Sequence, residues 1–172
     1  AIEYGSTVTP YEPYTGQTYP IQIGNKNQLQ SDLDTIKSFN TDGVWSGNTY
    51  ALNGVELTVV TDDDGLVTEI KAVSQGSVSN DVIFKIASIT YKADVEYILN
   101  GCPTGGSSNE YAIWSFDIGS EDVDIDEGDG VEIEKSSDTA ASVCIRIRYL
   151  YGASNLSFKP MLRFASITNP DS

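Results

Sequence analysis

The sequence predicts an all-β fold: an antiparallel β-sandwich, specifically a jelly roll, with an extended N-terminal arm and at most one short helix. Three observations predict it. From Val44 onward apolar residues recur with a period of two, nine short β-prone runs are separated by clusters of Gly, Asn, Asp and Ser, and no helical pattern lies between them. That order excludes an alternating α/β fold, which places a helix between successive strands. At 172 residues and 40% apolar content the chain holds enough hydrophobic side chains for one sizeable core.

The elements follow in chain order. Residues 1–20 read as an arm or linker, because Pro10-Tyr11-Glu12-Pro13-Tyr14-Thr15-Gly16 favours an extended polyproline-like run with its rings free to pack on a neighbour. Residues 21–43 read as irregular or short helical: Leu29, Leu33 and Ile36 recur at spacings of four and three, Asn27 is a candidate cap, and Asp42-Gly43 ends the run. The β-sandwich module then spans 44–168. Val55, Leu57 and Val59 alternate with Glu56 and Thr58, Asp62-Asp63-Asp64-Gly65 supplies turn residues, and Leu66 to Ala72 resumes the β pattern, which makes a hairpin. Further strands are expected at 82–90, 94–99, 110–116, 122–126, 130–134, 142–150 and 155–164. In the run 142–150, Val143, Ile145, Ile147 and Tyr149 point one way and Cys144, Arg146 and Arg148 the other. One face is core; the other is wet or contacts something. Residues 169–172 read as the start of the next linker.

The two ends echo each other. Ala1-Ile2-Glu3-Tyr4-Gly5-Ser6 running to Thr9-Pro10 aligns without gaps with Met161-Leu162-Arg163-Phe164-Ala165-Ser166 running to Asn169-Pro170. Only two of the ten positions are identical, so the echo reads either as a tandem array of modules or as a shared strand-and-turn habit.

Ten Lys plus Arg against 25 Asp plus Glu give a net charge of -15, which repels phosphate backbones and anionic lipid surfaces. Nucleic acid is therefore not an expected partner. No stretch approaches the roughly 20 apolar residues that span a bilayer, so no membrane insertion is expected. The absence of histidine removes the commonest general base and metal ligand, and with it any Ser-His-Asp or Cys-His catalytic group. Cys102 and Cys144 lack zinc-site spacing and read as two buried, unlinked thiols or as one bridge.

The motifs Trp45-Ser46-Gly47-Asn48-Thr49-Tyr50, Leu52-Asn53-Gly54-Val55-Glu56-Leu57-Thr58-Val59 and Asp63-Asp64-Gly65 resemble a module of tail and baseplate-associated proteins from phages and prophages of Gram-positive bacteria. Tyr97-Ile98-Leu99-Asn100-Gly101-Cys102-Pro103 with Gly105-Gly106-Ser107 resembles the strand and loop that follow there. Ala153-Ser154-Asn155-Leu156-Ser157-Phe158-Lys159-Pro160-Met161-Leu162-Arg163 resembles its closing strand, and Tyr11 to Gly16 the linker after such a strand. The resemblance covers about residues 44–166; Glu121 to Glu134 is more acidic than the family, and residues 25–42 have no family pattern. It implies a non-catalytic carbohydrate-binding-module-like sandwich on a virion tail, attaching to host surface glycans or positioning a receptor-binding domain. Adjacent modules of the same chain, and a trimeric homo-oligomer, are the implied protein partners. A carbohydrate-binding module of a secreted or cell-surface bacterial protein is the first alternative, and a purely structural connector the second. The family supplies no binding residues to carry over.

Candidate site residues come from the chemistry of the side chains. Trp45, in turn-like sequence, offers an indole for the C–H face of a sugar, and Tyr50, Tyr91 and Tyr151 near strand ends are further aromatic candidates. Trp114 shares a face with Ala112 and Phe116 and reads as core. Arg146 and Arg148, with Lys85 and Lys159, suit hydroxyls, phosphates or carboxylates of a wall polymer, or cross-strand pairing with Glu56, Glu69 or Glu96. Asp122, Asp124 and Asp126 have the oxygen spacing that opens a calcium loop, with Asp129 as a further candidate ligand, but Glu127 stands where that loop needs glycine and Ile133 where it needs a bidentate Glu. The competing reading is an edge strand with Val123 and Ile125 facing inward and solvated aspartates that block edge pairing. Calcium is thus an optional cofactor and no other is required. Paired carboxylates of a glycosidase are not singled out by anything in the sequence.

Overall fold

The computed structural model describes residues 26–74, 78–149, 151 and 153–165. The arm at 1–20, the linker at 169–172 and the end-to-end echo fall largely or wholly outside the described residues. Among the described residues the fold is all-β and antiparallel with one short helix, as the alternation predicts.

The helix, α1 (Leu33–Phe39), begins where Asp32 Oδ1 accepts the Thr35 N–H at 2.8 Å and ends where the Asn40 N–H and side-chain amide both turn back to the Ile36 carbonyl. The cap is thus Asp32 and not Asn27. Ile36 is fully buried, which anchors this single helix into the sandwich.

The strands are β1 (Val44–Ser46), β2 (Thr49–Leu52), β3 (Val55–Thr61), β4 (Val67–Ser74), β5 (Val82–Tyr91), β6 (Glu96–Asn100), β7 (Tyr111–Asp117), β8 (Val123–Asp126), β9 (Val131–Glu134), β10 (Thr139–Ile147), β11 (Leu156–Phe158) and β12 (Met161–Phe164). They form three hydrogen-bonded sheets, ordered β11-β4-β3-β2-β1, β5-β10-β7-β8 and β9-β6-β12. Asn53 and Gly54, both at positive φ, make the two-residue turn that pairs Leu52 with Val55. The single run expected at 155–164 is two strands in different sheets, because Pro160 has no N–H to continue a ladder. Gly101, at φ 116°, accepts the Lys159 N–H there, and a Cβ at Gly101 would collide with the Lys159 carbonyl.

All three sheets give one face to a common core. Tyr50, Leu57 and Ile70 come from the five-stranded sheet, Phe84, Ile113 and Ile145 from the four-stranded one, and Leu99, Ile133 and Leu162 from the three-stranded one. The edge strand β5 carries a bulge opposite Val143 and Cys144, and α1 covers it. Ser31 Oγ donates to the Ile86 carbonyl at 2.6 Å, and the Asn40 amide bonds both the N–H and the carbonyl of Lys85 at 2.9 and 2.8 Å. Those bonds replace a neighbouring strand and keep the edge from pairing with another chain.

Phe84 fills the centre of this arrangement, in contact with Trp45 and Tyr50. Phe84→Ala is expected to lower unfolding stability by about 3–5 kcal/mol in urea denaturation, as aromatic truncation in a packed core does. A loss below about 1 kcal/mol would contradict that packing.

Candidate functional site

The aromatic candidates are mostly structural. Trp45 on β1 is half-buried, with its ring 5.0 Å from Tyr50 and 6.1 Å from Phe84, its Nε1 donating to the Asn40 carbonyl at 2.8 Å and the Lys37 ammonium 5.5 Å from its centroid. Its ring is committed to packing. Tyr50 and Tyr91 are 1% and 0% exposed, so neither can stack on a ligand. Tyr91 instead shares a 2.8 Å hydrogen bond with Ser115 Oγ inside the sandwich. Tyr151 is half-buried with its ring 5.3 Å from Tyr111. A strand-end position alone did not mark an open ring, because these ends are capped by other segments.

Arg146 and Arg148 converge on Asp81, which none of the expected glutamate pairings included. Arg146 Nη2 lies 2.7 Å and Arg148 Nε 3.0 Å from Asp81 Oδ2, while the Tyr149 N–H donates to Oδ1 at 2.8 Å. Burial opposes ionisation of Asp81, but the Tyr149 N–H and the two guanidiniums outweigh it and hold its carboxyl below the ordinary value. Arg148 also donates to the Ser108 carbonyl, so it fastens the end of β10. Arg146 lies on the other side of the sheet from the core, its guanidinium 4.7 Å from the Trp114 centroid. Lys85, on the neighbouring strand, holds its ammonium 4.5 Å from the Phe39 ring. Lys159 lies in the β11–β12 connection and lines a separate cleft, so the four cations do not share one face.

The acidic run is oriented opposite to expectation. Asp124 and Asp126 face inward, and Val123 and Ile125 face outward, because Asp126 pairs with Ile113 and Ile125 with Trp114 across the β7–β8 ladder. Asp126 is fully buried: Oδ2 accepts the Cys102 N–H at 2.8 Å, and Oδ1 accepts those of Gly128 and Gly130 at 2.9 and 2.8 Å. Asp124 and Asp117 share the ammonium of Lys135, at 2.9 and 2.8 Å. Burial alone would lower the Lys135 pKa, but these two carboxylates raise it overall. Asp122 and Asp129 remain exposed. The expected calcium ligands are therefore split between an ammonium, three backbone N–H groups and solvent. Among the described residues no group of three or more carboxylate or thiol side chains has metal-holding geometry.

What the sequence missed is the outer face of the sheet β5-β10-β7-β8. Trp114 is only 9% exposed yet lies outside the core cluster: it stacks on Phe116 at 5.4 Å under the Arg146 guanidinium. Cross-strand register puts Cys144 beside Trp114, Lys85 beside Cys144 and Ile83 beside Arg146 on that face. Val123 and Ile125 continue it across β8. Its other outward positions are Ala112, Ser88, Thr90, Ala140 and Ser142. No carboxylate occupies an outward position on these four strands, in a chain with 25 of them, and two cations do. An antiparallel sheet facing plain solvent alternates apolar-in with polar-out; on β7 and β8 this one is apolar on both faces. The signal was present in Tyr111-Ala112-Ile113-Trp114-Ser115-Phe116, where apolar residues occupy both phases of the alternation.

Comparison with family models, curated proteins and solved structures returns no match to this chain. Among the described residues no helix is long and apolar enough to cross a membrane.

Two outcomes follow from this geometry. Lys135→Ala leaves two carboxylates facing each other without a counter-ion, and is expected to cost about 3 kcal/mol or more in chemical denaturation; a loss within about 0.5 kcal/mol would show the ammonium to be dispensable. Both cysteines are buried and free, and burial pushes the Cys102 thiol up to about 12 and that of Cys144 up to about 11. Tyr91 is likewise pushed up to about 12 by burial. Each group stays protonated in the fold to higher pH than in the unfolded chain, so unfolding at alkaline pH releases protons. Their contribution is intact below the ordinary thiol value of 9.0 and falls as pH rises toward about 12. The urea midpoint should drop between about pH 8 and pH 10.5, and titration of the denatured, unreduced chain should count two thiols. A flat midpoint or a zero count would overturn this.

Proposed function

We propose that this is a non-catalytic attachment module of a phage tail or baseplate-associated protein, which holds an anionic host-surface glycan against the outer face of the sheet β5-β10-β7-β8. The single observation that carries the reading is the composition of that face. A chain of net charge -15 places no carboxylate at the outward positions of these four strands and places Lys85 and Arg146 there, each braced against a ring, with Asp81 at the rim paired to Arg146. Bracing fixes the cations before binding, so less side-chain freedom is lost when a ligand docks. The hydroxyls of Ser88, Thr90 and Ser142 offer donors and acceptors beside them, and Phe116 an edge for the C–H face of a sugar ring. Lys85, which has no carboxylate within 4.0 Å among the described residues, supplies the charge that an acidic polymer meets.

A second reading is supported by exposed aliphatic side chains on and beside the same face. Ile83, Val123 and Ile118 are 48%, 39% and 63% exposed. Such residues suit packing against an adjacent module of the same assembly, in which case the domain positions a receptor-binding domain.

A bacterial-surface polysaccharide array, probed with the module displayed multivalently so that weak single sites register, tests the first reading. Retention of acidic polysaccharides is expected, lost on Lys85→Ala with Arg146→Ala and weakened by salt. Retention of neutral polysaccharides only, or retention unchanged in the double variant, would sink it. Silence on the array, together with protection of Ile83 and Val123 from hydrogen exchange in a tandem fusion of two copies, would move the assignment to the packing role.

A further inference from the structure

A separate cleft of about 540 Å³ lies away from the sheet face, between the stretch 26–30, the β3–β4 turn with the start of β4, and the β11–β12 connection. Its volume falls within the roughly 300–1,000 Å³ of small-molecule sites. The floor is apolar: Leu29, Leu66, Val67, Pro160 and Met161, the last 39% exposed.

Each wall is fastened by short hydrogen bonds, so the cleft is formed before anything enters it. Asn27 donates to the Pro160 carbonyl at 3.0 Å and accepts the N–H groups of Leu29 and Leu162, both at 3.0 Å. Asp62 Oδ1 accepts the N–H groups of Asp64 and Leu66 at 2.9 Å, closing the turn. The Val67 N–H donates to the Ser31 carbonyl at 2.9 Å, tying that turn to the segment before α1.

The charges lining the cleft do not neutralise each other. Lys26 and Lys159 line it together with Asp62 and Asp64, yet among the described residues no carboxylate lies within 4.0 Å of either ammonium. Opposite charges facing one apolar floor without touching leave a span for a molecule that carries both. We propose that the cleft binds a short zwitterionic peptide. Its carboxylate meets Lys26 and Lys159, its amino group meets Asp64 and the free oxygen of Asp62, and an apolar side chain lies on Leu66 and Met161. Gln30 and Thr68 offer polar groups to the peptide amides. A phosphocholine-like headgroup carries the same two charges, but a quaternary ammonium is held by aromatic faces and this cleft has none. The proposal does not depend on the sheet-face reading.

The test is a two-dimensional amide NMR titration of the whole chain with the tripeptide alanyl-leucyl-alanine, bearing free ends. Saturable shifts at the Leu66, Val67 and Met161 amides are expected in the millimolar range. Acetylating the amino end or amidating the carboxyl end should each weaken binding by roughly fivefold or more. Lys159→Gln should shrink the penalty of amidation and Asp64→Asn that of acetylation, since each deletes one of the two charges that the modified end would have met. Both are exposed substitutions that leave the core intact. Lys85→Ala should leave the titration unchanged, which separates this site from the sheet face. Absence of saturable shifts at these amides up to about 10 mM, or equal binding of the doubly blocked peptide, would overturn the proposal.

Discussion

Lys135 places one ammonium within 3 Å of both Asp117 and Asp124, and the orientation of β8 depends on it. A strand with alternating Val, Asp, Ile and Asp can turn either set inward, and hydrophobicity favours the valine and isoleucine. The ammonium reverses that preference. Its desolvation is offset only if both carboxylates stay close, so Asp124 must face the interior. Asp126, two residues on, follows by the pleat and finds three backbone N–H groups waiting.

Everything distinctive about the outer surface follows from that inversion. With the aspartates turned in, Val123 and Ile125 extend the apolar patch begun by Trp114 and Phe116, and no carboxylate of β8 faces outward. The same inversion commits Asp124 to the Lys135 ammonium and Asp126 to three backbone N–H groups. One buried charge network therefore sets which side chains of β8 face outward.

The edges of the sandwich are managed by side chains where no strand is present. Asn40 and Ser31 bond the bulged edge of β5, while Asn27 performs the same service for β12 by accepting the Leu162 N–H. These three residues lie in the stretch that looked least regular in sequence. They are the reason that α1 and its flanks belong to the sandwich, and Asn27 also lines the cleft beside Lys26 and Lys159.

Much of the fold was legible. The period-two runs located most strands within a residue or two, and Val143, Ile145 and Ile147 face the core as alternation requires. The short helix with its Leu33 and Ile36 was also legible, but Leu29 lies before it and the cap is Asp32 where Asn27 was expected, both being good capping residues. The site was far less legible. Trp45, Tyr50 and Tyr91 share the chemistry of sugar-stacking residues, but that chemistry does not say which neighbour covers the ring. By itself the sequence determined the antiparallel class, the turns and the charge balance, because these depend on local conformational preference and composition. Only the tertiary structure decided which face of β7 and β8 meets solvent, that Arg146 pairs with Asp81, and that Lys26 and Lys159 share a cleft with Asp62 and Asp64. Those depend on partners distant in the chain, whose distances no local pattern encodes.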